Sequence, residues 1–262
     1  DFATSFDQLS QELPNAGAVS LVVSWFGDDL RCSSCTIRPK VEQKLRDGVG
    51  MPWRAGGIAR AAALEVPKVT GASIYGGTPA DASVIEAIRA MRTAGKDVMF
   101  YPFILMDQVD GNTLPDPWTG ASTQPVLPWR GRITLANAPG RVGTTDRTAG
   151  ASAEVASFFG AAEPTDFSVT GDVVSYFGPA DWGFRRFILH YAHLCAAAGG
   201  VESFCIGSEM RSLTQIRGLG DSFPAVAELQ RLAADVRDIL GPQAKIGYAA
   251  DWSEYFGYQA DG

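Results

Sequence analysis

Short apolar segments alternate with amphipathic helical segments along this chain, and this alternation limits the folds that it can adopt. Continuous or β-branched apolar runs predict buried strands over 18–25, 68–75, 97–106, 201–207 and 244–250. Helical spacing of apolar residues predicts helices over 55–64, after Thr78-Pro79 as far as Gly95, and over 180–198 and 223–240. Buried strands separated by helices predict a parallel sheet, because parallel strands need crossover connections.

Two architectures satisfy that pattern, a (β/α)₈ barrel and an open doubly wound sheet. An open sheet commonly carries a glycine-rich phosphate turn after its first strand, whereas this chain has SWFGDDLRC there, with two acids. Polar and aromatic residues follow each predicted strand, which is typical of the active face of a barrel. We therefore favour an α/β, (β/α)₈ TIM-barrel-like fold, with the open sheet as the alternative.

About five βα units fit within 1–262, and the region 107–177 breaks the pattern after the third predicted strand. Loops of that length without structure are uncommon, so we expect an ordered insertion with a short helix near 152–159 and a hairpin near 130–136. A closed barrel needs three more strands, so we expect residues beyond Gly262 to complete the domain of which 1–262 is the N-terminal part.

Charge and cysteine content exclude several function classes. With 22 basic and 29 acidic residues the net charge is −7, and no basic cluster is present, so we expect neither nucleic acid nor membrane insertion. Cys32 and Cys35 form one CxxC motif without a second pair, which predicts free thiols or a loop disulfide more than a metal site. No metal and no cofactor are expected.

The residues that follow the predicted strands form a set of carboxylates and aromatic rings. Carboxylates suit acid–base chemistry on acetals, and aromatic rings suit stacking on sugar faces. Each could instead cap a helix or pack in the core. As substrate-binding candidates this pattern selects Trp25, Asp28, Asp29, Tyr75, Asp107, Ser208, Asp251 and Trp252.

Glu209 is the strongest catalytic candidate. It directly follows FCIGS, an apolar strand that ends in small residues, so its carboxylate would project into the mouth of a barrel. Partial burial there suits the work of a general acid. The alternative interpretation is support for the start of the next helix.

Several motifs together resemble a known family. They are WFGDDLRCSSCTIRPKVE, YGGTP, FYPFILMD, LPDPW, PWRGRIT, CIGSEMRSLT and YAADWSEYFG. This combination resembles the glycoside-hydrolase-like TIM-barrel domain of the host-specificity or hub proteins at the tail tip of gene transfer agents and related phages. The resemblance implies a virion protein that is assembled in the bacterial cytoplasm, contacts other tail-tip or baseplate proteins and meets bacterial surface glycan.

The barrel is also similar to the retaining glycosidase clan with an acid/base Glu after strand four and a nucleophile Glu after strand seven. That resemblance implies the acid/base role for Glu209, preceded by Ser208 where the clan commonly has Asn, and a nucleophile beyond Gly262. Three functions follow: a retaining hydrolase of surface or cell-wall polysaccharide, a non-catalytic carbohydrate-binding domain, or a purely structural tail-tip domain. Two carboxylates about 5–5.5 Å apart would favour the hydrolase.

Overall fold

The computed structural model describes residues 2–255, whose centre is one five-stranded sheet. Its strands are β1 (Ala18–Gly27), β2 (Ile37–Arg38), β3 (Asp97–Met106), β4 (Ser203–Ser208) and β5 (Lys245–Ala249). Strands β1, β3, β4 and β5 are parallel and adjacent in chain order, while β2 pairs antiparallel with β1 at the edge. This order winds in one direction, whereas a doubly wound sheet reverses. The fold is α/β and TIM-barrel-like, as predicted.

Six α-helices accompany the sheet within the described residues. They are α1 (Phe2–Glu12), α2 (Asp81–Thr93), α3 (Ala149–Phe159), α4 (Phe184–Ala197), α5 (Arg211–Thr214) and α6 (Pro224–Leu240). The predicted helices after Pro79 and over 180–198 and 223–240 are confirmed. Helix α6 has proline at its first position and is followed by Gly241 at φ +84°, which are typical start and stop residues.

The two faces of the sheet differ in burial. Val23 on β1 and Phe100 on β3 are buried beneath the helices, with α4 as the innermost helix of that layer. Their strand neighbours point the other way, since side chains alternate along a strand. On that opposite face Val22 is 50% exposed and Met99 is 36% exposed. The extent of the domain and its completion beyond Gly262 stay predictions.

Two predicted elements between β1 and α2 are wrong. The segment 68–75 is a small hairpin, Lys68–Val69 with Ala72–Ser73, outside the central sheet. Thr70 and Gly71 both have positive φ, which closes a two-residue hairpin turn and folds the apolar run back on itself. The segment 55–64, predicted as a helix, contains a second hairpin that turns at Gly56 and Gly57, followed by a short 3₁₀ turn.

The region 107–177 is ordered, as expected, although one of its predicted elements differs. Helix α3 confirms the short helix near 152–159. The hairpin near 130–136 is wrong, because Arg130–Arg132 forms a 3₁₀ turn there. An antiparallel hairpin occurs later, Phe167–Thr170 with Val173–Tyr176.

None of the helices within residues 2–255 is long and apolar enough to cross a membrane.

Candidate active site

The carboxyl ends of the four parallel strands lie along one edge of the sheet, and most of the predicted site residues are there. Gly27 pairs with Met106, so Asp28 and Asp107 follow neighbouring strands at the same level. The Glu209 backbone N–H donates to the carbonyl of Ala249, which ties the exit of β4 to that of β5. This edge is the place where barrel enzymes build their sites.

Glu209 has a strained backbone and a partly exposed carboxylate. Its φ is +50°, a left-handed conformation that costs a non-glycine residue on the order of 1–3 kcal/mol and concentrates at functional sites. The side chain is 35% exposed. Its Oε2 accepts a hydrogen bond from the Trp129 indole Nε1 at 2.8 Å, and Arg130 Nη2 lies 2.9 Å away as an ion pair. The carboxylate therefore has two hydrogen-bond donors as neighbours, the neutral indole of Trp129 and the cationic guanidinium of Arg130.

Arg130 connects the predicted site residues Ser208 and Glu209. Its Nε donates to the Ser208 carbonyl at 3.0 Å and to the Ser208 hydroxyl at 3.2 Å, and its guanidinium lies 3.7 Å above the centre of the Phe103 ring. The side chain is only 6% exposed. Burial lowers the pKa of Arg130, and the negative charge of Glu209 opposes that effect. Ser208 therefore fixes the arginine that contacts Glu209.

The place of Glu209 in the strand order differs from the prediction. Because 68–75 is outside the sheet, Glu209 follows the third parallel strand among residues 2–255, whereas the expectation was the fourth. The fourth is β5, which is followed by Asp251 and Glu254. The strand count thus no longer supports the acid/base role implied by resemblance, and any role of Glu209 rests on its own geometry.

Asp28 and Asp29 hold the loop that follows β1. Asp28 accepts hydrogen bonds from the Thr36 backbone N–H at 2.7 Å and its hydroxyl at 2.6 Å. Asp29 is 3% exposed, pairs with Arg31 at 2.6 Å, and accepts from Gln124 Nε2 at 2.7 Å. Both carboxylates are thus occupied by loop-stabilising contacts, and Asp29 also anchors the insertion.

Asp107 forms a buried ion pair with Lys40. The two side chains are 4% and 9% exposed, and Lys40 Nζ lies 2.5 Å from Asp107 Oδ2. Burial raises the pKa of Asp107 above its usual value, and the charge of Lys40 opposes the rise. Burial raises the pKa of the Tyr75 phenol, and the negative charge of Asp107 adds to that rise. The Tyr75 ring lies 6.2 Å from the ring of Phe26. This group lies at the shared edge of β1 and β3.

The predicted sugar-stacking role of Trp25 is wrong. Its side chain is fully buried, its indole N–H donates to the Tyr191 hydroxyl at 2.8 Å, and its ring packs on Phe187 of α4. Trp25 shares the face of β1 with Val23, two residues earlier, which points into the helical layer. It is a core residue beneath the site.

The residues after β5 separate into a cap and an exposed ring. Asp251 caps the 3₁₀ turn Trp252–Glu254, and hydrogen bonds from the Ser253 backbone and hydroxyl lower the pKa of its carboxyl. Trp252 is 76% exposed, so its ring is available to a ligand. Glu254 Oε1 accepts from the Tyr248 hydroxyl at 2.9 Å, and that hydroxyl in turn accepts from the Met210 N–H at 2.6 Å.

Sequence reasoning missed Trp129, Arg130 and Tyr248 as parts of this site. Trp129 and Arg130 belong to the insertion, about 80 residues from Glu209, and no periodicity signals such a contact. The PWRGRIT motif carried part of the family resemblance, and it was the available signal. Tyr248 lies within the fifth predicted strand, whereas the prediction selected only residues that follow a strand, here Asp251 and Trp252.

The CxxC motif is not a disulfide. Cys32 and Cys35 are free and buried, and burial raises the pKa of the Cys32 thiol to about 12 and that of Cys35 further. Thiols in such surroundings are poor nucleophiles and poor metal ligands. Across residues 2–255, no group of three or more His, Cys, Asp or Glu side chains is arranged to hold a metal ion.

A cavity of about 380 Å³ lies beside α5, the short helix that follows Glu209. Trp118, Arg147, Ser212 and Gln215 are among its lining residues. Its volume falls within the range of small-molecule sites, roughly 300–1,000 Å³. A second cavity, of about 320 Å³, is lined by residues that include Arg54, Asp81 and Tyr176.

Comparisons with known proteins give a family match and two similar structures. Two structures of GH113 β-1,4-mannanase are similar at 13% and 14% identity, each with a TM-score of 0.46. They align with 99% and 97% of this chain, which spans about half (52%) of their length. No curated protein sequence matches the chain. Residues 182–262, the part that contains α4, Glu209 and β5, match the GTA TIM-barrel-like domain, and this match confirms the resemblance over that part of the chain.

Proposed function

We propose that this chain is part of a glycoside hydrolase that a phage-like tail tip uses on bacterial surface or cell-wall polysaccharide. The match of residues 182–262 to the GTA TIM-barrel-like domain supports the proposal that the chain belongs to a phage-like particle. The observation that supports hydrolysis is the geometry of Glu209. Its backbone is strained, and its carboxylate is partly exposed at the edge where the parallel strands end.

Glu209 would act as the general acid and base. With Oε2 accepting from Trp129 and facing Arg130, a proton on Oε1 could pass to the glycosidic oxygen as the bond to the leaving sugar breaks. In a retaining mechanism a second carboxylate attacks the anomeric carbon, and Glu209 then removes a proton from the incoming water. The family resemblance implies that this nucleophile lies beyond Gly262.

The substrate would bind across the edge of the sheet. The exposed ring of Trp252 can stack against the apolar face of a pyranose, as aromatic rings do in sugar sites. The cavity beside α5 offers space for a further sugar unit. Other tail-tip or baseplate proteins are the proposed partners.

A carbohydrate-binding domain without catalysis is the second candidate. It is favoured by the contacts of the other strand-end carboxylates, each of which already has a partner. Asp28 accepts from Thr36, Asp107 is paired with Lys40, and Asp251 accepts from Ser253. These three carboxylates thus lack the freedom of a nucleophile.

Hydrolysis by the full-length protein tests the proposal. Purified host surface polysaccharide and sacculi are incubated with the protein, and new reducing ends are measured. We expect Glu209→Gln to lose activity by about 10²–10⁴-fold, the usual contribution of general acid–base catalysis. The control Glu86→Gln, on the exposed face of α2, should keep it. Binding without cleavage by the unaltered protein would favour the second candidate.

A further inference from the structure

The turn formed by Trp129, Arg130 and Gly131 reaches from the insertion to the carboxylate of Glu209. The Trp129 indole N–H and the Arg130 guanidinium both approach Oε2, at 2.8 and 2.9 Å. Within residues 2–255 no hydrogen bond to Oε1 is found. Two donors on one oxygen restrict rotation of the carboxylate and leave the other oxygen open to a ligand.

The guanidinium of Arg130 is itself fixed on three sides. The Phe103 ring lies beneath its plane, Ser208 accepts from Nε, and Glu209 faces Nη2. Arg130 Nη2 is buried and has no aligned hydrogen bond besides this ion pair. A buried guanidinium costs free energy unless it is paired, so its contact with Glu209 resists separation.

Gly131 determines where the Trp129 ring can lie. A Cβ atom at position 131 would come within 2.4–2.5 Å of three atoms of the indole six-membered ring. Nearly equal distances to three ring atoms place the ring flat against the glycine. No larger residue at 131 permits the ring position from which Nε1 reaches Glu209.

We infer that this turn is a positioning device for Glu209, with Trp129 and Arg130 as positioning residues and Gly131 as the surface on which the indole rests. The inference rests on the proposed function, because it assigns Oε2 to the device and Oε1 to proton exchange with the glycan. A barrel strand presents the carboxylate, and the insertion orients it.

Indole resonances of the full-length protein, labelled with ¹⁵N-tryptophan, test the contact without a substrate. Trp129→Phe assigns the Trp129 signal. Glu209→Gln should shift that signal and leave the Trp252 signal unchanged. Gly131→Ala should shift the Trp129 signal to the position of a solvent-exposed indole. The control Gly50→Ala, where an added Cβ meets no atom within 4 Å, should leave it in place.

Kinetics then separate positioning from packing. Trp129→Phe keeps an aromatic ring but removes the indole N–H together with the rest of the pyrrole ring, so kcat should fall by at least 10-fold while KM stays within about twofold, given the cost of a misplaced catalytic group. An unchanged kcat in Trp129→Phe and Gly131→Ala would overturn the inference, as would a Trp129 signal that ignores Glu209. If the protein hydrolyses nothing, the proposed function fails, and the indole signals still decide whether the turn holds Glu209.

Discussion

Replacing Trp25 with alanine should destabilise the domain strongly, because Trp25 is a core residue. The ring is fully buried and contacts Trp182, Phe187 and Tyr191. Truncating a buried tryptophan costs roughly 3–5 kcal/mol. Loss of its hydrogen bond to the Tyr191 hydroxyl adds about 1 kcal/mol. We expect a total near 4 kcal/mol or more, which for a domain of this size lowers Tm by roughly 10 °C.

Urea unfolding of the full-length protein, followed by the domain's near-ultraviolet circular dichroism, measures this loss. Trp25→Phe retains most ring contacts and should cost roughly 1–2 kcal/mol. The matched control is Trp252→Ala, whose ring is 76% exposed, and its free energy of unfolding should change by less than about 0.5 kcal/mol. A Trp25→Ala variant with near-normal stability and weakened glycan binding would return Trp25 to the binding cleft and refute this packing argument.

Two further predictions concern buried polar groups. Asp107→Asn leaves Lys40 buried without its partner and should cost about 3–5 kcal/mol in urea unfolding, whereas the double variant Lys40→Met/Asp107→Leu should recover most of it. Unchanged stability in Asp107→Asn would contradict the buried pairing of Asp107 with Lys40. The thiols of Cys32, Cys35 and Cys195 should resist iodoacetamide at pH 8 in the folded protein and react in denaturant, as peptide mass spectrometry would show, because each is buried with a raised pKa.

The helices and the parallel strands could be predicted because their patterns are long. Helix α6 shows a buried stripe over 17 residues with proline at its start and glycine after its end. Strands β1 and β3 are 10 residues long and largely apolar. The two wrong elements, the strand over 68–75 and the helix over 55–64, were predicted from short apolar segments. Thr70-Gly71 and Gly56-Gly57 are hairpin turn signals, and they outweighed the β-branched and alanine-rich residues around them.

The site was predictable only where it depends on strand ends. Glu209 and Asp107 were found because each directly follows an apolar strand. Trp25 was misassigned because both faces of a barrel strand are apolar, so the sequence does not indicate which face a ring occupies. Trp129 and Arg130 lie in an insertion whose path depends on contacts such as Gln124 with Asp29, and no local pattern encodes those contacts.

The central claim is that Glu209 delivers the proton to the leaving sugar, and the dependence on leaving group tests it most directly. Aryl glycosides of the sugar released from the polysaccharide are compared in the unaltered protein, Glu209→Gln and Glu254→Gln. We predict that Glu209→Gln loses about 10²–10⁴-fold in kcat/KM on a poor leaving group and little on dinitrophenolate, which needs no protonation. Equal losses on both substrates, or the leaving-group-dependent loss in Glu254→Gln instead, would contradict the account.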